Sequence, residues 1–151
     1  MQYYFEEKEN LKLDEVQVLV QSQKRTKEVQ EILDYLGAYD QGEVTVLPIK
    51  TSDRIEMLKV DDLIYADVEG DSLILETSKG RILTNDRLYK FSQRLNNPDF
   101  VQVSKHALLN INHLEALEAS FSGNMLAILT GKRKLDVSRR YLVNLEKRLG
   151  L

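Results

Sequence analysis

The chain has 151 residues, is 42% hydrophobic and 30% charged, and carries a formal net charge of −3 with no cysteine. That length and balance suit one globular domain, or one domain with a small extension. The absence of cysteine excludes disulfides, thiol catalysis and cysteine-based zinc sites. No apolar run approaches the ~18 residues of a membrane span. The acidic opening MQYYFEEKEN lacks the apolar core of a signal peptide, so a cytoplasmic location is expected.

Net acidity argues against a nucleic-acid partner, but the charge is unevenly spread. Residues 1–50 hold 6 Lys+Arg against 10 Asp+Glu, residues 51–98 hold 7 against 9, and residues 99–151 hold 8 against 5. A basic C-terminal third permits binding to an anionic polymer without requiring it.

In chain order, Tyr3 to Leu13 alternates weakly and is expected to form an irregular strand or arm. Val16, Val18 and Val20 alternate with Gln17, Leu19 and Gln21, which predicts a strand. Thr26 is a candidate N-cap for a helix with Val29, Ile32, Leu33 and Leu36 on one face, and Gly37 is its expected stop. Asp40-Gln41-Gly42 reads as a turn closing this strand–strand–helix unit. Beyond it strands dominate: Thr45 to Lys50, an edge strand because of Pro48, then Arg54 to Val60. A hairpin pairs Leu63 to Val68 with Leu73 to Ser78 around Glu69-Gly70-Asp71-Ser72, and Arg81 to Thr84 follows. Asn85 to Leu95 has helical spacing at Leu88, Phe91 and Leu95 and ends at Asn96-Asn97-Pro98. The strands are completed by Phe100 to Val103, Leu114 to Ser120, Met125 to Thr130 and Arg133 to Val137. Ser122-Gly123-Asn124 and Gly131-Lys132 are turns, and Tyr141 to Leu149 is a helix. The fold class is therefore mainly β with short helices, without the paired helices of a helix-turn-helix protein. Any nucleic-acid reading must fall to loops and strand ends.

Two segments have the chemistry for that. In DFVQVSKHALLNIN (99–112), an alternating strand breaks at Ser104-Lys105-His106. In LDVSRRYL (135–142), another breaks at Ser138-Arg139-Arg140. Hydroxyls and cations hold phosphate oxygens, and a long cation also reaches base edges. Together with LIYADVEGDSLIL (63–75) and GRILTNDRLYKFSQRL (80–95), these segments resemble the LytTR family of bacterial DNA-binding domains over residues 44 to 151. A strand like the family's I-x-Y (Leu63-Ile64-Tyr65 here), the F-x-x-hydrophobic-x-[KR] segment ending in Asn, and the V-S-[RK]-R ending occur in the family's order.

The resemblance implies a compact β fold at 43–151 that places loops into successive major grooves. It puts Lys105 and Arg139 where relatives contact bases, with Arg140 expected to hold the DNA backbone; Ser104, beside Lys105, fits a phosphate contact. Arg81 is a further backbone candidate. Ser138 is read first as the N-cap of the last helix and second as a phosphate contact. Arg139 and Arg140 at a helix start oppose the helix dipole, a cost of a few tenths of a kcal/mol that a phosphate would offset. The Gly70 turn corresponds to a third DNA-facing loop in some relatives, but Glu69 and Asp71 would repel phosphate. It is expected to contribute little. Lys79 is equally well explained by an exposed hairpin.

No catalytic constellation, phosphate-binding glycine motif or metal set is evident, so neither an enzyme nor a cofactor or small-molecule substrate is expected. His106 and His113 have no cysteine or matching carboxylate spacing for zinc. Asn110 and Asn112 are expected to satisfy backbone groups at a turn. Residues 1–42 are too short for the receiver domain that usually precedes such DNA-binding parts and too small to form their own core. Dimerisation on repeated sites in double-stranded DNA, or docking of a regulator, is expected for them. The resemblance to receiver-less relatives adds an inhibitory membrane protein as a partner. The alternative function is a protein-interaction module that kept the fold and lost DNA binding.

Overall fold

A computed structural model describes residues 1–121 and 123–151, with Gln41 described by its backbone alone. Contacts divide the chain into Met1–Asp40 and Gln41–Leu151.

In the first unit the expected strands do not form. Residues 1–26 hold no strand, and Val16, Val18 and Leu19 are 85%, 62% and 79% exposed. Alternation supplies a strand's side-chain pattern but not the partner that must satisfy its backbone groups. Helix α1 (Lys27–Gln41) starts as predicted, with Thr26 Oγ1 accepting from the Val29 amide at 3.3 Å. It runs through Gly37 instead of stopping there. A mid-helix glycine costs about 1 kcal/mol relative to alanine, too little to end a helix by itself. Gly42, at φ +75°, follows the last helical residue.

The second unit is built on a five-stranded antiparallel sheet. Its strands are β3 (Leu63–Glu69), β4 (Ser72–Thr77), β5 (Gly80–Thr84), β6 (Phe100–Gln102) and β7 (Ala107–Asn110), in the order β5-β4-β3-β7-β6. A hairpin of β1 (Val46–Lys50) and β2 (Ile55–Lys59) packs on one face with helix α2 (Leu88–Leu95). A three-stranded sheet of β8 (Leu114–Ala119), β9 (Met125–Leu129) and β10 (Arg133–Val137) packs on the other with helix α3 (Arg139–Leu149).

Because the central sheet is covered on both sides, its inner strands are apolar on both faces. Leu63, Ala66 and Leu108 join the core that holds Phe91 and Leu95, while Ile64 and Leu109 join the core that holds Val137 and Leu145. This arrangement explains the strand that alternation misses. All four residues of β7 are buried, so Ala107-Leu108-Leu109 shows no period of two. Asn110, the last residue of this strand, is buried and also caps the 3-10 turn that follows, satisfying backbone groups there as expected. Its side chain donates to the Leu63 carbonyl at 2.9 Å and accepts from the Asn112 amide at 3.0 Å.

The remaining elements lie close to their expected places. Helix α2 begins at Leu88, the first apolar residue of its spacing and three residues after Asn85, and Asp86 before it pairs with Arg94 of its last turn at 2.9 Å. It ends at Asn96 in the left-handed region, a conformation asparagine tolerates. The expected Ser122-Gly123-Asn124 turn falls partly on Ser122, which lies outside the described residues.

Two polar clusters hold the sheets in relative position. His113 Nε2 lies 2.6 Å from the Asp61 carbonyl and Nδ1 3.0 Å from Thr130 Oγ1, joining three short 3-10 turns. Glu76 on β4 receives Arg81 at 3.0 Å and Arg133 of β10 at 3.1 Å. Burial, then the Glu76 charge, pushes the neighbouring Tyr65 hydroxyl above its ordinary range.

Candidate nucleic-acid interface

The two cationic segments meet through the backbone. The Ser138 amide donates to the Val103 carbonyl at 2.9 Å, so the β10–α3 junction lies against the end of β6. On the other side of the same hairpin, the Val68 amide donates to the His106 carbonyl at 2.9 Å. The β3–β4 turn, the β6–β7 hairpin and the start of α3 are thereby linked in sequence along one edge.

The β6–β7 hairpin braces itself. Ala107 O accepts from the Val103 amide at 2.9 Å, and Ser104 Oγ accepts from the His106 amide at 3.1 Å. Gln102 Nε2 adds a bond to the Ser104 carbonyl at 3.0 Å. Lys105 is left exposed at the tip with no hydrogen bond or ion pair among the described residues. The Ser104 hydroxyl thus has a structural task in shaping the loop, and its remaining capacity faces a half-exposed surface.

At α3, Ser138 takes the N-cap position with extended backbone, and its carbonyl accepts from the amides of Tyr141 and Leu142. Its hydroxyl makes no capping bond. The expected side-chain cap is therefore corrected: the helix is started by backbone geometry, and the hydroxyl has no partner among the described residues. Arg139 and Arg140 open the helix, both exposed, with no acidic residue in the first turn. Arg140 has no hydrogen-bond or ion-pair partner among the described residues. Arg139 Nε donates to the Gly123 carbonyl at 2.7 Å, and its amide to Asn124 Oδ1 at 3.3 Å. Sequence reading missed this support, because nothing in the spacing of the β8–β9 turn marks it as the neighbour of α3.

Arg81 differs from the other cations. Its guanidinium is committed to Glu76 at 3.0 Å, and that hydrogen bond raises its pKa further. Lys79 similarly pairs with Asp62 at 3.2 Å. Lys105, Arg139 and Arg140 lack a carboxylate partner among the described residues, which leaves their charge available to an external anion.

Acidic groups lie along the same edge. Asp67 of β3 is opposite Ala107. Burial raises its carboxyl above the ordinary range; Glu69 and Asp136 add to the rise, while the Val68 amide and His106 oppose it. Gly70, at φ +59°, forms the β3–β4 turn with Asp71. Among the described residues no group of three His, Asp or Glu is placed to hold a metal, and no helix is long and apolar enough to cross a membrane.

A covered β-sheet unit whose cations sit on loops and a helix start defines a DNA-binding module that works without a helix-turn-helix. Residues 53–150 match the family described as the LytTr DNA-binding domain, and the chain belongs to that family. It is 27% identical over 112 residues to the sensory transduction protein LytR of Staphylococcus epidermidis, covering 74% of this chain and 44% of that protein. It is 25% identical over 118 residues to the transcriptional regulatory protein LytR of Staphylococcus aureus (strain N315), covering 78% of this chain and 46% of the relative. The chain thus spans less than half the length of these relatives. A solved LytTr DNA-binding domain from Bacillus cereus superposes with a TM-score of 0.64 at 18% identity, covering 72% of this chain and 99% of that one.

Proposed function

We propose that this chain is a sequence-specific transcription regulator that reads the major groove of double-stranded DNA with loops and strand ends. Lys105 and Arg139 contact bases, and Ser104, Ser138 and Arg140 hold phosphates. The observation that carries this reading is the bond between the Ser138 amide and the Val103 carbonyl, which brings two cations without carboxylate partners to one edge. Arg81 is a weaker phosphate contact, because approach to DNA would have to compete with Glu76. The protein acts in the cytoplasm.

Residues 1–42 form an accessory unit that precedes the DNA-binding domain of residues 43–151 in the chain, and serve self-association on repeated sites or docking of an inhibitory membrane protein. The exposure of Tyr3, Tyr4 and Phe5, at 91%, 86% and 85%, supports an interaction role. Removing residues 1–42 is expected to abolish self-association, and unchanged self-association and regulation would overturn that role.

The test of DNA reading is selection from a random duplex library followed by fluorescence anisotropy, with wild type and Arg139→Ala in parallel. Wild type is expected to enrich one repeated motif and the variant to relax it. A second reading, a protein-interaction module, draws on the acids Asp67, Glu69 and Asp71 beside the β6–β7 hairpin. Absence of salt-sensitive DNA binding would favour it.

A further inference from the structure

The β6–β7 hairpin has a helix on each side. Helix α3 packs in the core on one face of the central sheet and α2 in the core on the other, and β6 is the edge strand between them. The first side carries Arg139 and Arg140. The second side holds a cleft of about 210 Å³ between α2 and the hairpin. Leu88 and Leu108 form its apolar part, and Tyr89, Ser92, Gln93 and Gln102 supply neutral polar groups beside Lys105. Lys105 is its one charged lining residue, in an edge otherwise crowded with carboxylates.

Tyr89 and Gln93 are one helical turn apart and share a face of α2. Both are exposed, and their side chains make no hydrogen bond among the described residues. Most protein hydrogen bonds to DNA go to phosphate and sugar, and glutamine, serine and tyrosine supply many of them. A loop that enters a groove ~12 Å wide has sugar-phosphate backbone on both sides. At α3, Arg140 and Ser138 account for one wall only.

We propose that the α2 cleft receives a phosphodiester of the strand bordering the groove that Lys105 enters. The Tyr89 hydroxyl and the Gln93 amide donate to its oxygens. The inference rests on the DNA-reading function above. It commits the cleft to DNA because its charged lining group is the lysine of that interface, with no carboxylate to hold a cation or basic peptide.

The contacts are uncharged, which gives them a distinct signature. Loss of a lysine or arginine contact lowers the salt slope, whereas loss of a neutral donor releases no counterions and leaves the slope alone. The test is anisotropy of full-length protein on the selected duplex and on an unrelated duplex, at several salt concentrations. The proteins are wild type, Tyr89→Phe, Gln93→Ala, the double variant and Arg139→Ala, with thermal unfolding checked for each. The double variant is expected to bind both duplexes about 5- to 20-fold more weakly, with an unchanged salt slope and melting temperature. Binding within twofold of wild type, while Arg139→Ala is impaired, would overturn the cleft contact and leave DNA reading intact. No salt-sensitive binding by wild type would overturn both. Loss confined to one duplex would overturn the phosphate assignment in favour of a base contact.

Discussion

The Ser138 amide and the Val103 carbonyl, 2.9 Å apart, lock the start of α3 to the end of β6. Because this is a main-chain bond, the spacing between Lys105 and Arg139 is set by the backbone and survives changes at either side chain. At the far end of the helix, Arg148 pairs with Asp99 at 2.8 Å and donates to the Pro98 carbonyl at 3.1 Å. Helix α3 is therefore held near both ends of the same strand.

Arg139 and Arg140 should separate by task. Arg139→Ala is expected to cost about 1–3 kcal/mol on the selected site and to relax preference at one base pair. Arg140→Ala is expected to weaken all sequences alike and to lower the salt slope by about 1. Anisotropy on matched and mismatched duplexes at several salt concentrations distinguishes them. Identical profiles for the two variants would defeat the assignment.

Asn110 should matter for stability. It is 2% exposed and bridges β3 to the turn after β7. Asn110→Ala leaves the Leu63 carbonyl and the Asn112 amide without that partner, at a cost of about 1–3 kcal/mol. Urea unfolding measures the loss, and a change within 0.5 kcal/mol, roughly that of an ordinary surface substitution, would show that the bridge is dispensable.

Asp67 gives a pH dependence with a definite sign. Burial first, then Glu69, raises its folded-state pKa above the ordinary value, so the folded protein holds this proton more tightly than the unfolded chain. Stability from this group falls as pH rises from the ordinary carboxyl range through the raised value, and the penalty is complete above it. Asp67→Asn should therefore raise the melting temperature at neutral pH, with the advantage shrinking on acidification. It should also strengthen DNA binding by removing a negative charge beside the β6–β7 hairpin. A melting difference that ignores pH would refute the linkage.

What the sequence disclosed depends on how each segment is buried. Half-buried elements such as β2 and α2 carry a period, and their places were readable to within a few residues. The β7 strand is covered on both faces and has none, so its residues looked like the tail of a polar loop. Val16 to Gln21 failed in the opposite way, with a strand period but no strand to pair with. Of the proposed interface, Lys105, Arg139 and Arg140 stand out in the sequence because hydroxyl and cation sit together at strand ends. The commitment of Arg81 to Glu76 was hidden, since its second half is the inter-sheet contact of Glu76 with Arg133. Tyr89 and Gln93 were invisible for a similar reason, because only the packing of α2 beside the hairpin gives them Lys105 as a neighbour.

Gly123→Ala is a test of Arg139 made from another hairpin. Gly123 has φ +76°, and a Cβ there would lie 1.7 Å from Arg139 Nη2. The substitution should cost about 1–2 kcal/mol from backbone strain and shift the guanidinium. Unfolding and duplex selection measure the two effects, and an unaltered base preference would show that the arginine does not depend on this turn.

That glycine also sets what the arginine must give up. Its carbonyl is an uncharged resting place for Arg139, whereas Arg81 would have to break with a carboxylate before touching anything else. The two arginines thus differ in readiness: one is free to exchange a single neutral acceptor for a better one, the other is spoken for. Evolution can retune the first by altering a turn in a different hairpin while every residue facing the ligand stays the same.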